Sequence, residues 1–145
     1  MSFKKGIVLL VIGAIAAIST GLAHLSCIFF GPQCYSAQMA PAIIVESAEA
    51  NTLLAPIAAI GICLFFIVLG CYALSGAKLI RKLPLLSFGI YAIATVCIIR
   101  GILPLQLWIR HPSKISEAIL AVGIVWLLVG LCYLLGYRAV NGKSV

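Results

Sequence analysis

Acidic side chains are nearly missing from this sequence. Three glutamates and no aspartate stand against ten lysines and arginines, which gives a formal net charge of +7. Charged residues of both signs make up only 9% of the 145 residues, whereas hydrophobic residues make up 64% and the mean hydropathy is +1.25. This polar surface is too small to cover a water-soluble globule, and no water-exposed basic face remains for nucleic acid. The composition therefore predicts an integral membrane protein whose first partner is the lipid bilayer, with no nucleic-acid partner.

Metal ligands and redox motifs are also scarce. The chain has two histidines and six cysteines, but no Cys-x-x-Cys pair and no His/Cys spacing typical of zinc, so we expect no metal and no cofactor. Four of the cysteines lie inside apolar runs, where a cysteine usually acts as a small hydrophobic residue. The other two, Cys27 and Cys34, lie near a predicted surface. The sequence leaves open whether they form a disulfide in an oxidising compartment or stay free thiols.

Four long apolar runs organise the chain. A helix that crosses about 30 Å of hydrocarbon needs roughly 20 apolar residues, so this length allows four spans with short connections. We predict an all-α protein, an integral membrane antiparallel four-helix bundle in one transmembrane domain, with spans at about 5–30, 53–75, 84–107 and 116–137. The first apolar run is longer than the apolar region of a usual signal peptide, which argues against cleavage. The connection 31–52 is long, so we expect a short interfacial helix near 42–50 within it.

Small residues recur along two of the predicted spans at intervals that suit helix packing. Gly13, Ala17 and Gly21 are four residues apart, and Gly123 and Gly130 are seven apart. Because lipid provides little hydrophobic drive between helices, such stripes let backbones approach closely. We interpret them as packing surfaces rather than as ligand sites.

The basic residues indicate how the chain is threaded. Seven lysines and arginines fall at the two termini and in the middle connection, against two in the other connections. The positive-inside rule then predicts that both termini are cytoplasmic. The middle connection, 76–84, is basic and mildly amphipathic, and we expect it to contact anionic lipid.

Two polar side chains lie within the apolar runs at similar depths. At 1.5 Å per residue, His24 lies about 27 Å along the first span and Arg100 about 26 Å along the third. An arginine at mid-depth costs at least about 2.5 kcal/mol, which makes Arg100 a candidate functional residue. We predict a pocket near the outer surface, with Arg100 paired to one glutamate, that is lined by His24, Tyr35, Glu46, Glu49 and Arg100. Alternatively, Arg100 reaches lipid phosphate and His24 bonds a backbone carbonyl.

Three separated stretches carry a resemblance to a known family. They are Gly21-Leu-Ala-His-Leu-Ser-Cys-Ile with Phe30-Gly-Pro and Tyr35; Tyr72-Ala-Leu-Ser-Gly-Ala with Leu79-Ile-Arg and Leu83-Pro-Leu-Leu86; and Arg100-Gly101. This pattern resembles small bacterial four-helix inner-membrane proteins without an established activity. The resemblance implies a multi-pass protein of the bacterial inner (cytoplasmic) membrane, and it marks as pattern positions His24, Tyr35, Arg81 and Arg100.

Familiar classes of four-helix membrane protein are excluded by what the spans lack. A small multidrug antiporter needs an acid buried in a helix, a bis-haem cytochrome needs paired histidines, and a thiol oxidase needs vicinal cysteines.

Two functional hypotheses remain, and the sequence leaves open whether the protein is an enzyme. In the first, the protein is a binding or interaction protein. It then holds a small anion or lipid headgroup in the outer pocket, or it is an accessory subunit that associates with another membrane protein or a second copy. In the second, it is a small transporter or membrane enzyme in which His24 handles protons and Arg100 clamps an anion.

Overall fold

The computed structural model describes residues 2–110 and 116–142 of the chain. All regular elements in these residues are helices, as the sequence predicts. Four of them are long and apolar enough to cross a membrane, namely α1 (Phe3–Phe30), α4 (Leu54–Gly76), α5 (Leu86–Arg110) and α6 (Glu117–Asn141). Two short helices precede α4 in the chain, α2 (Pro32–Ala37) and α3 (Ala42–Glu49). The chain is therefore built as a helical, multi-pass membrane protein.

Local sequence explains where the long helices begin and end. α1 contains no proline and continues until Gly31, whose φ of 76° breaks it together with the following Pro32. α4 carries Pro56 in its first turn, where a missing N–H costs little. α6 begins after Ser116, whose hydroxyl accepts a hydrogen bond of 3.4 Å from the backbone N–H of Ile119.

Three helix ends close through residues in the left-handed conformation. Met39 after α2, Asn51 after α3 and Lys78 after α4 have φ values of 57°, 53° and 61°. In each case the next residue donates its N–H to a carbonyl five residues back, at 2.9 or 3.0 Å. This pairing is the Schellman motif, which satisfies carbonyls that a helix end would otherwise leave without a partner.

The connection between the first two spans is more helical than the sequence indicates. A helix is present near 42–50, as expected, and forms α3. The stretch before it also forms a helix, α2, which Pro32 opens at a position where its missing N–H is not needed. Sequence reasoning treated that stretch as loop because its six residues are too few for a periodic pattern.

The third span begins later than its proline suggests. α5 starts at Leu86, whereas Pro84 was the expected opening residue. Leu85 between them has a φ of 51°, which a helix cannot include. The preceding turn is held by Ser75, so the chain stays irregular until Leu86.

The described chain divides into two compact units. The first unit contains the residues up to Ala14 and from Cys71 onwards, and the second unit contains Ile15–Gly70. α1 and α4 therefore each contribute to both units. α5 and α6 belong wholly to the first unit, and α2 and α3 belong wholly to the second.

Glycines bring helix backbones into direct contact within these units. A methyl group placed on Gly101 of α5 would lie 2.7 Å from the carbonyl oxygen of Gly123 in α6. One placed on Gly6 of α1 would lie 2.8 Å from the carbonyl oxygen of Gly136. Both distances are too short for a real side chain, so only glycine permits this approach. In the second unit, Gly21 of α1 meets α4 in the same way.

The core of the first unit lies between α1, α5 and α6. Its largest fully buried side chains are Leu10, Ile90, Tyr133 and Val140. The remaining faces of the long helices expose leucine, isoleucine, valine and phenylalanine. Helices that are apolar on all sides are typical of membrane spans, because their outer faces contact lipid.

We predict that Gly101→Ala destabilises the protein, whereas Gly61→Ala does not. The methyl group at position 101 would overlap the backbone of α6 and force the helices apart, at a cost of about 1–3 kcal/mol. At Gly61 in α4, nothing lies within 4 Å of the added methyl group, so alanine gains helix propensity of about 1 kcal/mol. Thermal unfolding of both variants in detergent measures the difference. Equal shifts of the midpoint would show that α5 and α6 do not pack at Gly101.

Candidate functional site

A disulfide links the end of α1 to α2. Cys27 in the last turn of α1 and Cys34 in α2 are bonded through their sulfur atoms, with Cα atoms 5.1 Å apart. Of the two alternatives that the sequence leaves open, the structure has the bonded pair. The bond ties α2 back to α1, and it begins a compact segment that we call the loop module, residues 27–59.

Tyr35 lies at the centre of the loop module. Its side chain is 6% exposed and packs with Cys27, Ala55 and Ala59, and six further hydrophobic residues surround this cluster. The phenol hydroxyl is buried and has no hydrogen-bond partner among the described residues. Burial raises the pKa of the Tyr35 phenol, because the ionised form would lose its hydration. A buried hydroxyl in this state costs about 1–3 kcal/mol.

Short polar side chains form the frame of the loop module. The buried Ser47 hydroxyl accepts a hydrogen bond of 3.0 Å from the N–H of Ala55, in the first turn of α4. It also lies 2.6 Å from the Thr52 hydroxyl. The side-chain amide of Gln38 donates to the carbonyl of Ala23 in α1 at 2.7 Å. Polar bonds thus join the module to α1 through Gln38 and to the first turn of α4 through Ser47.

Sequence reasoning did not find these frame residues. Thr52 stands two residues before α4, one residue outside the cap position at which threonine is common, so its position carried only a weak signal. Ser47 carried none, because it reaches the start of α4 only through the left-handed turn at Asn51. Gln38 contacts a residue 15 positions away, which no local pattern predicts.

His24 is half-buried on α1 and stacks on an aromatic ring of α4. Its ring centroid lies 5.9 Å from that of Phe66, with the two planes 6° apart. Such stacking fixes the orientation of the imidazole within the second unit. The proposed role of His24 in handling protons stays a hypothesis.

The two glutamates of the predicted pocket lie on α3. Glu46 and Glu49 are both exposed, and within residues 2–110 and 116–142 neither forms an ion pair. Together with His24 and Tyr35 they belong to the second unit, whereas Arg100 belongs to the first. The pocket as a whole, including the pairing of Arg100 with a glutamate, therefore stays a prediction.

Arg100 lies on an exposed face of α5. The face that packs against α6 contains its neighbour Gly101, whereas Val96 and Leu103, one turn before and after Arg100, are 64% and 51% exposed. The guanidinium forms no ion pair with any residue that the structure describes. A cation therefore lies in the middle of an apolar, exposed stripe.

Arg100 lies near the middle of α5. Arg100 follows Leu86 by 14 residues and precedes Arg110 by 10, so it lies about 21 Å from one end and about 15 Å from the other. The hydrocarbon core of a bilayer is about 30 Å thick. A span of this length that is centred in the core therefore holds Arg100 inside it.

No protein family, curated protein or solved structure matches the chain. Its function is therefore inferred from the placement of its side chains. Two groups, one in each unit, have no structural use within the described residues. One is the buried hydroxyl of Tyr35, and the other is the exposed cation of Arg100.

We expect Tyr35→Phe to leave stability unchanged or raise it, and Tyr137→Phe to lower it. Both tyrosines are buried, but the Tyr137 hydroxyl lies 2.6 Å from the hydroxyl of Ser87. Removing an unpaired buried hydroxyl removes its desolvation cost, whereas removing a paired one loses about 1 kcal/mol. Thermal unfolding of the two variants in detergent shows whether each midpoint rises or falls. A lower midpoint for Tyr35→Phe would mean that a partner satisfies this hydroxyl.

We predict that the denatured protein has four reactive thiols before reduction and six after it. The free cysteines are Cys63, Cys71, Cys97 and Cys132, and the other two are bonded. Alkylation followed by intact mass measurement counts the thiols directly. As a control, Cys34→Ser leaves Cys27 unpaired, so this variant should react at five positions without reduction. Six adducts on the unreduced protein from native membranes would rule out the disulfide.

Proposed function

We propose that the protein is an interaction subunit of the bacterial inner membrane, a four-span antiparallel bundle with both termini in the cytoplasm. The distribution of lysine and arginine supports this orientation. The Cys27–Cys34 disulfide supports it independently, because disulfides persist in the periplasm and are rare in the cytoplasm. This bond lies at the end of α1, whereas Lys4 and Lys5 lie at its start.

The exposed arginine within α5 carries the proposal. An arginine at this depth costs at least about 2.5 kcal/mol unless a counter-charge reaches it. The carboxylate of the first unit belongs to Glu117, the first residue of α6. Gly101 packs against Gly123 of α6. Glu117 precedes Gly123 by six residues, so it lies about 9 Å further along the helix axis, at the start of α6. The first unit therefore offers Arg100 no anion at its own depth.

The partner that fits this face is a transmembrane segment with an aspartate or glutamate inside its span. α1, α4 and α5 contain no acidic residue, and α6 has only Glu117 at its start. A second copy of the chain therefore offers no carboxylate at the depth of Arg100. Beside the arginine, the exposed side chains of Val96, Leu103 and Leu107 form one apolar stripe on which such a helix can pack.

We test this docking with a photoreactive residue in place of Leu103, beside Arg100, in the full-length protein in its native membrane. We expect an adduct with a segment that carries an acid within its span, as identified by mass spectrometry. Arg100→Leu should reduce this adduct more than about tenfold, since the partner's carboxylate would then lie within the membrane without a counter-charge. Arg100→Lys should keep part of it. Changing the partner's acid to its amide should abolish it.

Arg110→Leu is the matched control, because Arg110 is an exposed arginine at the end of the same helix. It should leave the adduct unchanged. Adducts with lipid alone would contradict the proposal in favour of a lipid phosphate. A purified Arg100→Leu protein that unfolds at a clearly lower temperature than Arg110→Leu would contradict it in favour of internal pairing with Glu46 or Glu49.

A further inference from the structure

A groove opens at the end of the first unit that carries the N terminus. Its volume of about 580 Å³ lies within the range of small-ligand pockets. The end of α4, the following turn, the start of α5 and the end of α6 form its walls. The polar side chains on these walls are Ser75, Lys78, Lys82, Ser87, Tyr137 and Asn141.

Hydrogen bonds fix the turn that forms one wall of the groove. The hydroxyl of Ser75, which is 3% exposed, accepts a hydrogen bond from the N–H of Leu83 at 3.0 Å and donates one to the carbonyl of Arg81 at 3.1 Å. The Tyr72 hydroxyl donates to the carbonyl of Pro84 at 3.2 Å. The backbone of this wall is therefore organised before any ligand arrives, which lowers the entropy cost of binding.

Lys78 occupies a position at which backbone geometry favours glycine. It ends α4 with a φ of 61°, in the left-handed region where a side chain costs free energy. Its Nζ lies 5.5 Å from the centroid of the Phe3 ring. This contact holds the amine near α1 without neutralising its charge.

Among the residues that the structure describes, the groove is lined by lysines and by no carboxylate. None of the residues that line it is acidic, and Glu117 lies at the opposite end of α6. The last carbonyls of α4 accept hydrogen bonds from the N–H groups of residues 77–79, which gives these helix-end acceptors partners within the chain. The first turn of α5, which includes Ser87, adds the partial positive charge of a helix N terminus.

We propose that this groove binds a phosphate group. Lys78 and Lys82 supply the cationic contacts, and the Ser87 hydroxyl and the Asn141 amide supply further hydrogen-bond donors. Basic pockets at the ends of membrane spans bind anionic lipid headgroups, and a free phosphate offers the same chemistry. The site does not involve Arg100, so it stands independently of the interaction function proposed above.

The experiment uses the purified full-length protein in a neutral detergent with three probes. These are short-chain phosphatidylglycerol, phosphatidylcholine of the same chain length, and inorganic phosphate. A ligand that binds only the folded state raises the midpoint of thermal unfolding. We expect phosphatidylglycerol to raise the midpoint and phosphatidylcholine to leave it unchanged.

The double variant Lys78→Gly/Lys82→Gln tests the site itself. Removal of both charges should weaken the affinity for phosphatidylglycerol about 30-fold. Glycine at position 78 also relieves the left-handed backbone, so without lipid this variant should unfold no earlier than Lys82→Gln alone. Its loss of binding is then separate from a loss of folding.

The matched control is Lys4→Gln/Lys5→Gln. These two lysines are exposed at the same end of the first unit but do not line the groove. Their removal should change the affinity by no more than about twofold, because neither lysine lines the groove and a distant exposed charge is screened.

Each outcome of the titrations leads to a different conclusion about the site. An effect of phosphatidylglycerol that only the groove variant loses assigns the site to a lipid headgroup. An equal effect of inorganic phosphate, lost in the same variant, assigns the site to free phosphate. Equal losses in both double variants would overturn the proposal in favour of diffuse surface charge. The proposal is also wrong if neither phosphatidylglycerol nor inorganic phosphate raises the midpoint.

Discussion

Direct contact between helix backbones is the constraint on which the first unit depends. In a bilayer the lipid tails are as apolar as the side chains, so the hydrophobic effect gives two helices little reason to associate. Dispersion contacts have to replace it, and their energy falls steeply with small gaps. Gly101 against Gly123, and Gly6 against Gly136, remove the side chains that would hold the backbones apart. The exposed outer faces can then stay apolar without loss of specificity.

The few polar side chains mostly complete hydrogen bonds at the ends of helices. The same hydrogen-bond arrangement occurs at the start and at the end of α4. In each case the hydroxyl of a buried serine accepts a hydrogen bond from the backbone N–H of the residue eight positions later. Ser47 accepts from Ala55, and Ser75 accepts from Leu83. A left-handed residue within the intervening turn brings each pair together. Because this frame accounts for so many polar groups, the exposed cation of Arg100 is conspicuous.

The sequence predicted those features that a long apolar run leaves little freedom to vary. Four spans, a helix near 42–50 and the importance of Gly123 followed from length, composition and spacing. The exposed face of α5 could not be predicted, because a helix that is apolar on all sides shows no preferred side. The left-handed turn at Lys78 was hidden for another reason, since lysine is not a residue that marks such turns. The groove was hidden because Ser87 and Tyr137 stand 50 residues apart and meet only after folding.

The division of α1 between two units has a consequence for how the protein is made. The second unit is continuous, and its last residue, Gly70, is synthesised when about half of the chain has been translated. The first unit joins residues up to Ala14 with residues from Cys71 onwards, so it cannot close before synthesis is nearly finished. We therefore expect the disulfide-bonded half of α1 to mature first. The half that contains the N terminus waits in the bilayer until α6 has been inserted beside it.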